Sequence, residues 1–197
     1  MAEHSVGIAT LEDGDKAITT LEFAFATDPV MRWLWPSPWT FRTTFSKFID
    51  AVARDAFVQG TAQTVDDGRG VALWLPPGFA ADDVALVQVI LESVDPDLLT
   101  DLSEFSDMLR EHHPVVDHWY LAVMGVDPYF QGVGLGSTLL RHALARCDQD
   151  GLPAYLEAST LRNRALYERF GFEEVGVIQA GSSPQVWAMM RHPTTTR

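Results

Sequence analysis

The sequence predicts an α/β fold in a single domain. Apolar residues recur at helical spacing through much of the first half, and a near-continuous apolar run over residues 119–126 is typical of a strand buried on both faces. A glycine-rich loop and a further helix follow that strand. With 197 residues, of which 47% are hydrophobic, the chain is long enough for one substantial core but short for two domains.

The first half is predicted to consist of helices and one hairpin, and it contains no recognisable chemical motif. The first helix ends at Asp28-Pro29, the second closes at Gly60, and the hairpin turns at Asp67-Gly68. The predicted elements are, in order, a helix over residues 15–26, an amphipathic helix over 41–57, two strands of which the second covers 71–75, a helix from 82 and a helix over 96–112.

In the second half, strands and helices alternate. The predicted elements are a strand over 119–126, a helix over 134–150, a strand over 154–158, a helix over 163–170, and strands over 172–178 and 186–190. We expect one domain over residues 1–192, followed by a disordered tail over 193–197.

Charge and cysteine content argue against several classes of protein. A formal net charge of −13 argues against nucleic-acid binding, which needs an excess of lysine and arginine, and it would suit a cationic substrate. The one cysteine, Cys147, excludes an internal disulfide and lies on the apolar stripe of a predicted helix. No apolar run approaches the roughly 18–20 residues of a membrane span, and the polar N-terminus lacks a signal-peptide pattern. We therefore expect a cytoplasmic protein with no membrane or nucleic-acid partner.

The loop Gln131-Gly132-Val133-Gly134-Leu135-Gly136 joins the predicted strand to a helix N-terminus. Exposed N–H groups converge there and the helix dipole adds roughly half a positive charge, so the arrangement can bind an anion. The glycines let the backbone approach a diphosphate without side chains in the way. From the glycines alone, a turn that only packs the helix closely on the strand is an equally good interpretation.

Two other phosphate-binding motifs fit the loop poorly. A nucleoside-triphosphate loop requires Lys-Ser/Thr after its last glycine, where this chain has Leu135-Gly136-Ser137. A dinucleotide fingerprint would require glycine at Ser137 and would follow its strand directly, whereas four residues, 127–130, intervene.

Three segments in order resemble the GNAT superfamily of N-acetyltransferases. Residues 126–136 are similar to its signature Gln/Arg-x-x-Gly-x-Gly/Ala preceded by Val-x-Pro, and Leu156-Glu157 and residues 163–172 (NRALYERFGF) are similar to the strand and helix that follow it. Together they span about residues 118–190, the expected coenzyme-binding half. Two earlier segments, Ala26-Thr27-Asp28-Pro29 and Leu73-Trp74-Leu75-Pro76-Pro77-Gly78, resemble a subgroup that includes puromycin acetyltransferase-like proteins.

The resemblance implies a mixed, mostly antiparallel sheet that splays between its two central strands, with helices on both faces. It also implies acetyl-CoA as co-substrate, wedged at the split with its pantetheine arm along the first central strand and its pyrophosphate on the loop. No metal is expected, because His112-His113 lack suitable Cys or carboxylate neighbours and are interpreted as a helix end. The expected coenzyme-contacting residues are Met124, Gly125, Val126, Gln131, Gly132, Val133, Gly134, Leu135, Gly136, Ser137, Asn163 and Tyr167.

The same resemblance assigns catalytic candidates. Tyr167 matches a tyrosine that faces the coenzyme sulfur, and a phenol with a pKa near 10 suits protonation of a leaving thiolate. Glu157 matches a position where some members place a general-base carboxylate. Apart from the resemblance, His118 at the start of the other central strand is a second candidate for the base, acting directly or through water. Each has a structural alternative: a core tyrosine, a hydrogen-bonded strand glutamate and a solvated strand-end histidine. Asn163 is expected either to cap its helix or to contact the coenzyme.

An aromatic segment in the first half is the best candidate for an acceptor pocket. Trp33, Trp35 and Trp39 lie among prolines, and aromatic walls suit an apolar or cationic amine-bearing ligand. The alternative is that these rings only cover the core.

The resulting hypothesis is an acetyl-CoA-dependent N-acetyltransferase in which a primary amine attacks the thioester directly. The amine belongs to a small molecule or a peptide. The protein is expected to be a monomer or a homodimer. A non-catalytic acyl-CoA-binding or regulatory domain and, more remotely, a nucleotide-dependent oxidoreductase remain as alternatives.

Overall fold

Seven strands form one mixed sheet in the structure, a computed structural model that describes residues 4–194. Their order is β1-β2-β3-β4-β5-β7-β6, and every neighbouring pair is antiparallel except β4 and β5. The strands are β1 (Val6–Ile8), β2 (Ala62–Val65), β3 (Gly70–Leu75), β4 (Trp119–Val126), β5 (Ala154–Ala158), β6 (Glu173–Ile178) and β7 (Val186–Arg191). This sheet confirms the predicted mixed, mostly antiparallel α/β fold.

Helices cover both faces of the sheet. Those found within residues 4–194 are α1 (Gly14–Phe25), α2 (Pro29–Leu34), α3 (Pro38–Val58), α4 (Asp83–Ser93), α5 (Leu99–His112), α6 (Leu135–Asp150) and α7 (Leu161–Glu168). Helices α1 to α3 bury their apolar stripes on one face, where α5 also packs, and α6 and α7 cover the other. No helix in this described part of the chain is long and apolar enough to cross a membrane.

The two central strands part shortly after they begin, as the predicted splay requires. Strands β4 and β5 pair only at Trp119–Ala154 and Tyr120–Tyr155. A register shift follows at once on the other edge of β4, where Leu121 pairs with Trp74 and Val123 with Leu73, so that Ala122 is bulged. A β-bulge bends its strand and increases the local twist. This bulge therefore lies where β4 turns away from β5.

Three features differ from the predicted elements. Strand β1 was not predicted, because three residues with mostly exposed side chains give no periodic signal in the sequence. The aromatic segment contains a short helix, α2, whose N-cap is Asp28 and whose first residue is Pro29. In the predicted tail, Thr194 donates a 2.8 Å hydrogen bond from its backbone to Asp148, while residues 195–197, like residues 1–3, lie outside the described residues.

Candidate active site

The glycine-rich loop, which follows β4, exposes backbone N–H groups that have no partner within α6. Gly132 and Gly134 have φ angles of +82° and +100°, a region that favours glycine. Gly134 is the N-cap of α6 and has no side chain to cap the helix. The first intrahelical bond is from Thr138 N–H to the Gly134 carbonyl, at 3.0 Å. The backbone N–H groups of residues 135–137 are therefore available to an anion.

The loop fits the phosphate groups of a coenzyme. Apart from chain neighbours, no heavy atom lies within 4 Å of the position that a Cβ would take at Gly132 or Gly134. The space in front of the backbone is thus open, and glycine is needed there for its conformation. Open space and positive φ angles are both needed for backbone N–H groups to bind a diphosphate.

Cationic side chains surround this loop although it contains none. Arg162 donates a 3.0 Å hydrogen bond to the side chain of Gln131, which in turn donates to the carbonyl of Val126 at 3.1 Å. On the other side, a ring nitrogen of His4 lies 3.1 Å from the carbonyl of Val133, and its second nitrogen lies 2.6 Å from Asp66. The hydrogen bond to Asp66 is the main cause that raises the pKa of His4. These contacts hold the loop from both sides and come from segments far away in the sequence.

The last residues of β4 face different surroundings. Met124 and Val126 are half-buried and pack against the cluster beneath α6. A Cβ at Gly125 would lie 2.6 Å from the Cβ of Ala24, so this glycine is required by the close approach of α1. The glycine at position 125 is thus explained by packing against α1, without any contact to a coenzyme.

Tyr167 lies on the α6 and α7 face, in the cluster that packs against β5. Its side chain is buried, and its ring meets that of Phe172 edge to face with centroids 5.8 Å apart. Burial, and then the negative charge of Asp28, raise its pKa. The phenol therefore keeps its proton through the neutral and mildly alkaline range, as a proton donor must. Asn163 does not cap α7: the cap is Thr160, which accepts a hydrogen bond from the backbone N–H of Asn163 at 3.1 Å.

Asp28 is a buried carboxylate near Tyr167 that the sequence reasoning did not select. It accepts hydrogen bonds from the backbone of Val30 and Met31, and from the hydroxyl of Ser159 just beyond β5. Burial raises the pKa of Asp28. The only local signal was the Asp-Pro pair, which marks a helix start wherever it occurs.

Glu157 lies on the opposite face of β5 from Tyr167's cluster. Side chains alternate along a strand, and Leu156 and Ala158 point toward α6 and α7, so Glu157 points toward the face covered by α5. The hydroxyl of Tyr120 donates a 2.7 Å hydrogen bond to its Oε2 atom. Burial, followed by the charge of Glu157, raises the pKa of Tyr120 well above its usual value. Tyr120 therefore remains a hydrogen-bond donor to this carboxylate.

His118 does not contact Glu157 directly. Its Nε2 atom lies 3.1 Å from Nε2 of His113, and the Nδ1 atom of His113 lies 3.9 Å from Oε1 of Glu157. Burial is the main cause that lowers the pKa of His118. The structure thus inserts His113, which the sequence reasoning interpreted only as part of a helix end, between the two candidate bases.

The three tryptophans have different environments. Trp33 and Trp35 line an open cavity of about 630 Å³, and their indole N–H groups donate to Ser182 at 3.1 Å and to Ser93 at 2.9 Å. Trp39 is 73% exposed and lies outside the cavity lining. The carboxylates of the lining are Glu92, Asp95, Asp97 and Asp101.

Comparison with known proteins agrees with this geometry. The sequence profile of the acetyltransferase (GNAT) family matches residues 102–172. An uncharacterised N-acetyltransferase of Schizosaccharomyces pombe is 30% identical over 204 residues, which cover 93% of this chain and 81% of the relative. The chain belongs to the GNAT acetyltransferase family. It is therefore an N-acetyltransferase, with acetyl-CoA as the co-substrate that its family uses.

Solved structures show that the acetyltransferase fold extends over the whole chain. A Corynebacterium glutamicum protein described as histone acetyltransferase HPA2 and related acetyltransferase is 29% identical, with a TM-score of 0.70 over 99% of both chains. Arylalkylamine N-acetyltransferase 2 of Aedes aegypti has a TM-score of 0.67 over 98% of this chain and 100% of its own, at 13% identity. The second similarity concerns the fold alone.

Replacing Gly134 with valine should weaken acetyl-CoA binding about tenfold or more. Valine cannot adopt a φ of +100° without strain of about 1–3 kcal/mol, so the backbone will shift and its N–H groups will leave their positions. Titration calorimetry measures the affinity. Gly78→Val is the matched control, since Gly78 has a φ of +84° and equally open surroundings in the turn after β3. It should lower the melting temperature without changing coenzyme affinity. Unchanged affinity in a folded Gly134→Val protein would show that the loop does not bind the coenzyme.

Proposed function

We propose that this enzyme acetylates a primary amine by direct attack on acetyl-CoA, with Glu157 as the base and Tyr167 as the acid. The observation that carries the proposal is their placement: Glu157 lies on β5 just beyond its last pair with β4, and Tyr167 of α7 packs with the residues on the opposite face of β5. An amine held on the α5 face can lose its proton to Glu157. A thiolate leaving on the α6 and α7 face can receive one from Tyr167. Direct transfer then needs no covalent enzyme intermediate.

The chain's own groups would hold the coenzyme at this split. The loop N–H groups of residues 135–137 would donate hydrogen bonds to the pyrophosphate, and the unpaired edge of β4 beyond Tyr120 would run along the pantetheine arm. When bound, acetyl-CoA supplies an activated acetyl thioester. Cys147 is not a nucleophile in this scheme, because it lies on the buried side of α6 and burial raises its pKa to about 12.

The acceptor we expect is a cationic amine with an apolar or aromatic body. Trp33 and Trp35 give the cavity beside α2 aromatic walls, and four carboxylates line the same cavity. A net charge of −13 favours the approach of a cation. Asp28, the N-cap of α2, adds a further carboxylate near Tyr167.

A screen of amines with acetyl-CoA, monitoring release of free thiol, tests the proposal. Arylalkylamines, diamines and a lysine-containing peptide should be included, with uncharged amides as controls. We expect turnover with at least one amine and none with the amides. Coenzyme binding without turnover of any amine would instead indicate an acyl-CoA-binding or regulatory role.

A further inference from the structure

The end of α5 and the start of β4 place two histidines in line with Glu157. The rings of His113 and His118 meet with centroids 4.8 Å apart, and the His113 ring also packs edge-on against Tyr120 and Tyr155. Only 12% of the Glu157 side chain is exposed, compared with 38% of that of His113. The three titratable groups therefore form a path from a nearly buried carboxylate to a solvent-accessible ring.

The hydrogen bonds determine which ring nitrogen carries each proton. His118 Nδ1 lies 2.7 Å from the carbonyl of Val116, which can only accept, so Nδ1 of His118 is protonated. In the neutral ring, Nε2 of His118 is then an acceptor. Since Nε2 of His113 lies 3.1 Å from it, His113 must donate there. This leaves a lone pair on Nδ1 of neutral His113, the atom that faces Glu157.

The two oxygens of Glu157 have separate partners. Oε2 accepts from the hydroxyl of Tyr120, whereas Oε1 is the oxygen nearest to Nδ1 of His113. A proton on Oε1 would therefore face a lone pair. The distance of 3.9 Å is about 1 Å longer than a hydrogen bond. Such a gap can be bridged by one water molecule or closed by a small rotation of the ring.

We propose that His113 removes from Glu157 the proton that the acceptor amine loses, and passes it to the His113–His118 pair and to solvent. This inference rests on the proposed function, in which Glu157 is the base. His113 does not touch the reacting atoms and acts through Glu157.

The transfer is balanced at each atom. The amine N–H bond breaks as an O–H bond forms on Glu157; then Oε1 gives up the proton to Nδ1 of His113, and Glu157 is again a carboxylate. The resulting imidazolium releases its Nε2 proton to His118 or directly to water. The charged and titratable groups that face this pair are Glu157, Asp117, Tyr120 and Tyr155.

The test measures kcat for an amine found in the screen, in wild type, His113→Asn and His113→Ala. Both variants should lose about tenfold in kcat with KM unchanged, since a single proton-transfer group contributes at least this much. Added imidazole should restore part of the rate of His113→Ala, with a pH dependence that follows the neutral base. Pyrazole, of the same size but far less basic, should not.

His112→Asn is the matched control, because His112 is adjacent at the same helix end but bonds to the carbonyl of Met108 and lies against β6. Its kcat should remain that of wild type. An unchanged rate in His113→Asn, or a loss that imidazole and pyrazole restore equally or not at all, would overturn the relay. Failure of the wild type to acetylate any amine would overturn the proposed function itself.

A second readout does not depend on activity. NMR titration of the histidine rings should show that His113→Asn raises the pKa of His118, because the nearby ring of His113 is one of the groups that lower that pKa. His112→Asn should leave that titration unchanged. No response of His118 to the loss of His113 would mean that the two rings are not in contact in solution, and the relay would be wrong.

Discussion

Tyr167→Phe should lower kcat by ~10²-fold, the loss typical of removing a general acid, while acetyl-CoA affinity remains unchanged. The substitution keeps the ring and its edge-to-face packing on Phe172 and deletes only the hydroxyl. Because burial and Asp28 raise the pKa of Tyr167, the wild-type phenol does not ionise in the assay range. The variant should therefore lose rate evenly across pH, without the loss of an alkaline limb.

Tyr129→Phe provides the control for this prediction. It deletes the same group from a side chain that is 94% exposed beside the coenzyme loop, and its kcat should equal that of wild type. Steady-state kinetics and thermal melting on both proteins are sufficient. Full activity in Tyr167→Phe would show that the thiolate leaves unaided or takes its proton from water.

Glu157→Gln should reduce kcat by ~10²-fold or more and abolish the acidic limb of the pH–rate profile. Glutamine keeps the shape of the side chain and can still accept the hydrogen bond from Tyr120, so packing should be preserved. What is lost is the capacity to accept the amine proton. A full pH profile of kcat is the required measurement.

Two comparisons rank the candidate bases. Glu174→Gln makes the same change on a β6 glutamate that pairs with Arg164 at the surface, and it should not affect kcat. His118→Ala should lose less rate than Glu157→Gln, since His118 reaches Glu157 only through His113. If His118→Ala or Asp28→Asn loses the acidic limb and Glu157→Gln retains it, the base is that other residue.

Local patterns in the sequence predicted most helices and strands to within a few residues. The run over residues 119–126 became β4 with the same ends, because a buried strand is marked by its own composition and by the loop that follows. The aromatic segment was harder to interpret. Its helix α2 has six residues and is held by an Asp28 cap, which is too short a span for a periodic signal.

Which site residues meet could not be predicted in the same way. Tyr120 and Glu157 are 37 positions apart, and Asp28 and Ser159 are 131 apart. Their contacts depend on strand order, on the register of β4 and β5, and on the bulge at Ala122. A shift of one residue in either strand would move each side chain to the opposite face of the sheet, and no single segment records that register.

The sequence by itself determined the family resemblance, the order of the elements and the coenzyme loop, because each depends on residues that are near one another along the chain. Only the tertiary structure decided that Glu157 of β5 and Tyr167 of α7 lie on opposite faces of the sheet, and that Asp28 is buried near Tyr167. It also decided that His113 lies between Glu157 and His118. These are contacts between distant segments, and packing of the helices on a split sheet determines them.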